Sequence, residues 1–197
     1  MFARLLLSRL PKRTVMFGKD RKPLVLYWTD AMWEPPAPAG LGMFLHVPGQ
    51  QPICGIAVVP SEVMDQLQKR KQQIGQAEAL ACLLGPYNYP ESFRDREVVH
   101  FIDNTSALAG CIKGGSSVED SNVIFQLLSL RLAELGTRYW AEYVESAANL
   151  ADEPSRAEEC PVAEDLGARV VEVQLPPLSA FMDSAVDLLR LSDLLKD

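Results

Sequence analysis

A chain of 197 residues, 48% hydrophobic and 23% charged, can bury one sizeable core, and its length favours one domain with extensions over two full domains. A globular protein is expected, with no membrane partner, since no apolar run approaches the roughly 20 residues needed to cross a bilayer; an intracellular place is expected, its compartment open. The net charge of −7 is unevenly spread: residues 1–23 hold seven Lys/Arg and one acid, leaving 12 basic against 25 acidic residues in the remainder, a net −13.

The chain starts with a basic arm over 1–23. The Arg-rich, acid-poor "MFARLLLSRLPKR" reads as an organellar transit segment within residues 1–20, as the end of a preceding polyprotein segment or a loosely docked helix, or as an arm lying on nucleic-acid phosphates. "KPLVLYWTD" (22–30) is a β-rich run closing on Asp30, and "PPAPAG" (35–40) is a loop no helix could cross. "GLGMFLHV" (40–47) and "ICGIAVV" (53–59), joined by the turn signal "PGQQP", read as two more strands and make an antiparallel meander.

After Pro60 the period changes. "SEVMDQLQKRKQQ" is a helix interrupted at Gly75, and "QAEALACLLG" resumes as a short apolar helix stopped by Gly85-Pro86. "REVVHFID" (96–103) is a fourth strand, and "NTSALAGCIKGG" a small-residue helix with Asn/Thr caps. The longest amphipathic helix covers 120–136, with Val123, Leu127, Leu130 and Ala133 among its apolar positions. "TRYWAEYV" is a fifth strand and "NLADEPSR" (149–156) a turn or helix start. Beyond Arg156, residues 157–197 form an acidic extension with one more strand candidate and an amphipathic helix, "DSAVDLLRLSDLLKD". Cys54, Cys82, Cys111 and Cys160 are scattered without a CxxC, and His46 and His100 stand apart from them. Neither a zinc knuckle nor a disulfide framework is expected, and a reducing compartment is.

Four acids stand out on this scaffold. Asp30 ends strand one, Glu78 lies in the first core helix among Ala77, Ala79, Leu80 and Ala81, Asp103 ends strand four, and Asp152 follows strand five. If strands one and four are a parallel pair joined through the helix, Asp30, Asp103 and Glu78 reach one point. Singly, Asp30 reads as a turn residue, Glu78 as an exposed helix position and Asp103 as a helix cap. Together they repel one another, and burying such charge costs several kcal/mol per ion unless a cation compensates. An oxygen-only ligand set favours Mg²⁺ or Mn²⁺, and two such ions can hydrolyse a phosphodiester.

Asp30, "QIGQAEALA" with Glu78, "HFIDNTSALAGCIKG" with Asp103 and "ANLADEPSR" with Asp152 resemble the ribonuclease H-like domain of retroelement reverse transcriptases, over residues 24–156. The resemblance implies an α/β fold of ribonuclease H type, with a five-stranded mixed sheet of three antiparallel then two parallel strands and helices on both faces. It implies an endonuclease that cuts the RNA strand of an RNA–DNA hybrid, leaving a 3′-hydroxyl and a 5′-phosphate, with two Mg²⁺ or Mn²⁺ ions held by Asp30, Glu78, Asp103 and Asp152. A reverse transcriptase polymerase domain is the partner it suggests. Asn104, Thr105 and Ser106, at the start of the helix after strand four, are phosphate contacts or plain N-caps; Arg156 touches the backbone phosphate or pairs with Glu153.

The pattern departs from the family at Met32 and Trp33 after the first Asp, in the lack of a His shortly before Asp152, and in the lack of a basic protrusion at "CIKGGSSVEDSN". These departures keep open an inactive ribonuclease H-like remnant serving as a nucleic-acid or protein interaction module. A proofreading-type exonuclease ranks last, since Glu34 lies four residues from Asp30 rather than two.

Overall fold

The computed structural model describes residues 23–67, 73–156 and 160–176. The basic arm, the middle of the 61–73 segment and the amphipathic helix expected in the C-terminal extension lie outside these residues.

Three strands open the fold: β1 (Val25–Met32), β2 (Gly40–His46) and β3 (Ile53–Val58), paired antiparallel in sequence order. Asp30 does not end β1, because Asp30, Ala31 and Met32 pair with Gly42, Leu41 and Gly40 and carry the strand two residues further. Along β1, Val25 and Tyr27 are fully buried while Leu26 and Trp28 are half-buried, the alternation of a strand with a thickly and a thinly covered face.

Four helical segments follow: α1 (Ser61–Gln66), α2 (Ile74–Ala81), α3 (Leu84–Asn88) and α4 (Pro90–Phe93). Gly85-Pro86 does not stop a helix as expected. It lies in the first turn of α3, where a proline's missing N–H has no intrahelical partner to lose, and the Gly85 N–H donates to the buried Tyr27 hydroxyl at 2.8 Å. The chain then forms β4 (Glu97–Ile102), α5 (Thr105–Lys113), α6 (Glu119–Glu134) and β5 (Arg138–Tyr143). Asn104 caps α5 by accepting from the N–H groups of Ser106 and Ala107, and left-handed Gly114 (φ 65°) ends it.

The buried face of α6 is Ser121, Ile124, Phe125, Leu127, Leu128 and Leu132. Of the positions the periodicity singled out, Leu127 is buried, whereas Val123, Leu130 and Ala133 are only partly covered. Packing against both α2 and α5 selects the stripe; Gly110 of α5 admits the Phe125 ring, which would lie 2.2 Å from any Cβ there.

The segments α7 (Asp152–Ser155) and α8 (Pro161–Asp165) precede β6 (Arg169–Glu172), which pairs parallel with β3. The sheet order is β5-β4-β1-β2-β3-β6, with β4 parallel to both β1 and β5. The arrangement is a ribonuclease H-like α/β fold whose sheet has six strands rather than five, because the strand candidate beyond Arg156 extends the edge at β3. Helices α2, α5 and α6 cover one face over the main core around Tyr27, Leu80, Leu83, Phe93 and Ile124. On the other face α7 packs on β2, and Phe44, Cys54, Cys160 and Ala163 form a second cluster.

The cysteines are less scattered in space than in sequence. All four are free and buried, and Cys82 and Cys111 approach to 3.7 Å between sulfurs, with His100 beside them. The expectation that His100 stands apart from the cysteines is therefore corrected: a core helix, a strand and the helix after it converge there.

Candidate active site

The parallel register of β1 and β4 ends at Thr29 opposite Ile102, so Asp30 and Asp103 are each the next residue along. Glu78 sits midway along α2, which packs on β1, and an apolar helix face places it there at 5% exposure. Oxygens of Asp30, Glu78 and Asp103 all lie within 4.8 Å of one another. The convergence expected of these three acids is present.

Asp152 is not part of this trio. It opens α7 and its carboxylate pairs with Arg156 at 2.8 and 3.3 Å; its charge is still near enough to disfavour ionisation of Asp30. Arg156 thus pairs with Asp152 rather than with Glu153, whose carboxylate accepts the Val162 N–H at 2.8 Å. Asn104 is the helix cap, and its side chain lies close enough to Glu78 to favour that carboxyl's ionised form. Thr105 and Ser106 are exposed on the first turn of α5. Ser106 lines a cavity of about 640 Å³ with Gly75, Lys113, Ser117, Asn122 and Phe125. None of the four acids lines it, although Gly75 precedes Glu78 by three residues and Ser106 follows Asp103 by three.

Two contributors escaped the sequence reading. The Ser155 hydroxyl lies 2.6 Å from Asp30 Oδ2 and 2.8 Å from the Asp152 carbonyl, sharing one proton between two acceptors. Its only sequence signal is its spacing, one helical turn after Asp152. Gly40 and Gly42 are the second: a Cβ on Gly40 would stand 2.0 Å from the Ser155 carbonyl oxygen, and one on Gly42 would stand 2.3 Å from that of Ala151. Only glycines let α7 lie this close to β2, and Gly42 is the strand partner of Asp30. Asn149 completes the anchor, donating to the Thr29 carbonyl at 3.1 Å and accepting from Ala151 N–H.

Burial pushes the Glu78 carboxyl up to about 9, with the charges of Asp30 and Asp103 adding to it and the Asn104 hydrogen bond opposing. Burial likewise raises Asp30 to about 7; the Ser155 hydroxyl pulls down, and Asp103 and Asp152 push up. Glu78 Oε2 and Asp103 Oδ1 are buried without a hydrogen-bond partner. Mutually repelling carboxylates with orphaned buried oxygens and an oxygen-only donor set fit a hard divalent cation. Asp30, Glu78 and Asp103 are the residues that could hold it, with Asp152 beside them.

No family model and no curated protein matches the chain. Among solved structures it is similar to ribonuclease H1 from the halophilic archaeon Halobacterium salinarum, at 16% identity over 72% of this chain and 98% of that one, with a TM-score of 0.48. It is also similar to the N-terminal ribonuclease H domain of a Mycobacterium tuberculosis protein, at 16% identity over 73% and 99% of the two chains and a TM-score of 0.47. A third is LC9-RNase H1, described as a type 1 ribonuclease H with the type 2 active-site motif, at 12% identity over 85% and 83% and a TM-score of 0.49.

Proposed function

We propose that the chain is a metal-dependent nuclease of ribonuclease H type that hydrolyses the RNA strand of RNA–DNA hybrids. The observation that carries this reading is the meeting of Asp30, Glu78 and Asp103 from a strand, a helix and a second strand end at one buried point, with two of their oxygens orphaned. Two Mg²⁺ or Mn²⁺ ions bound there would supply an acidified water and charge for the leaving oxygen.

The chain's own residues prepare the ground. Asp30 and Asp103 sit side by side at the sheet end as the central ligands, Ser155 fixes the rotamer of Asp30, and Asn104 fixes Glu78. Asp152 completes the set from α7, and its pairing with Arg156 keeps it turned along the helix until substrate phosphate competes for the guanidinium. Thr105 and Ser106, exposed at the start of α5, and the cavity beside them contact the backbone of the hybrid.

The motifs "HFIDNTSALAGCIKG" and "ANLADEPSR" support a retroelement origin, and a polymerase domain of that element would supply grip that an acidic body lacks. The basic arm supplies the rest. The family's usual His shortly before the last acid is missing from this sequence, and His100 is fully buried in the core. This supports a second reading, a remnant that binds nucleic acid or protein without cutting.

Cleavage of a labelled hybrid in Mg²⁺ and in Mn²⁺, wild type beside Asp103→Asn, separates the two. Cutting of the RNA strand that disappears in the variant is expected. A folded wild type that cuts in neither metal, alone or with the polymerase domain supplied, sinks the nuclease and leaves the remnant.

A further inference from the structure

Beneath the carboxylates lies a second set of metal-capable side chains that the nuclease reading does not use. Cys82 ends α2 and is fully buried, His100 is the fully buried fourth residue of β4, and Cys111 is 8% exposed on α5. One donor atom from each lies within 4.8 Å of the others. The imidazole is held on both sides, Nε2 by the Thr29 hydroxyl at 2.7 Å and Nδ1 by the Tyr139 hydroxyl at 2.5 Å. The Tyr27 ring stacks on it at 4.3 Å between centroids.

We infer that Cys82, Cys111 and His100 form a binding site for one thiophilic divalent ion of the zinc class. Two thiols and an imidazole are the donors such an ion selects over Mg²⁺, which prefers oxygen. The spacing agrees. Two thiolates each about 2.3 Å from one tetrahedral ion stand roughly 3.8 Å apart, and these sulfurs are 3.7 Å apart already.

On binding, the two S–H bonds break, two metal–sulfur bonds form and two protons leave to solvent. A 2+ ion with two thiolates is neutral, which suits a dry core. One imidazole nitrogen passes to the ion, and the other keeps its hydroxyl partner, which fixes the ring as outer partners of metal-bound histidines do. The hydroxyl released from the first nitrogen is at hand as the fourth donor.

The consequence is mechanical. The ion pins the end of α2, four residues beyond Glu78, to α5, which Asn104 caps, and to β4, which Asp103 directly follows. It sets the three acids without touching substrate, and it does not depend on the nuclease reading being right.

The full chain loaded with cobalt(II) is the test. A thiolate-to-cobalt charge-transfer band at one ion per chain is expected, unchanged by excess Mg²⁺ and unchanged in Asp30→Asn, which disables only the carboxylate site. Cys82→Ser should weaken binding on the order of 100-fold, since loss of even an outer partner costs 10- to 100-fold. Cys54→Ser should leave the band as it is. The wild-type spectrum carries the test even if Cys82→Ser does not fold. A folded wild type with no such band overturns the proposal, as does a Cys82–Cys111 disulfide in peptide maps of the folded protein, or a band that vanishes in Cys54→Ser.

Discussion

At the scale of single residues the site is a set of carboxyls held against their own repulsion. Glu78→Gln keeps the shape of the side chain and removes one charge from the cluster. In metal-free protein at pH 9 it is expected to raise stability by roughly 0.5–2 kcal/mol, the usual scale of relief at a site built for function, while removing divalent-cation binding. Thermal unfolding with and without Mg²⁺ checks both, and a variant less stable than wild type at that pH counts against the repulsion. Ser155→Ala removes the hydroxyl that opposes the rise of Asp30 toward 7. The acid limb of the cleavage rate is therefore expected to move to higher pH, with KM for the hybrid little changed. An unmoved limb would mean that Ser155 only packs.

At the scale of elements, the decisive contact is α7 against β2. Any side chain at Gly42 meets backbone of Ala151 and Ser155, and backbone cannot swing aside as a flexible side chain can. Gly42→Val is expected to cost about 1–3 kcal/mol, as overpacking does, and to lift Ser155 away from Asp30. Cleavage should then fall more than stability alone explains. A hybrid-cleavage assay on folded variant measures this; a rate equal to wild type would show that α7 does not need its close seat. Asp103 is legible at this scale from the sequence, since a β-rich run ending in "FID" followed by "NTS" announces a strand end and a helix cap together. Ser155 is not, because a serine in "DEPSR" reads equally as a turn residue until β2 is known to pass beneath it.

At the scale of the whole molecule, pH couples folding to the site. Glu78 and Asp30 have folded values raised to about 9 and about 7, so the folded state holds protons that the unfolded chain has given up. The stability these two protonated carboxyls contribute to the metal-free protein is fully present below their unfolded values near 4 and is lost as pH rises through about 7 and then about 9. A melting temperature that falls steadily between pH 5 and pH 9 is expected. Mg²⁺ should restore more of it the higher the pH. A melting temperature flat with pH in chelator would show that the acids do not repel. The arm is a separate lever: removing residues 1–22 takes away seven Lys/Arg, so hybrid affinity and its salt dependence are both expected to drop in a filter-binding titration.

Sequence by itself determined the order of strands and the opening antiparallel meander through local patterning, while the whole sheet was what the family resemblance implied and the meeting of three acids followed once strands one and four were taken as a parallel pair. The β-rich run of β1, capping at Asn104 and the short apolar helix around Glu78 are written in neighbouring residues. What only the tertiary structure decided are contacts between residues far apart in the chain whose local signals are weak. Asp152 turned to Arg156 instead of joining the trio, Ser155 reached Asp30 across 125 positions, and β6 closed on β3. The Cys82–His100–Cys111 cluster belongs with these. Its members are 18 and 11 residues apart in the sequence, and they meet only because α2 and α5 pack side by side on the sheet where β4 carries His100.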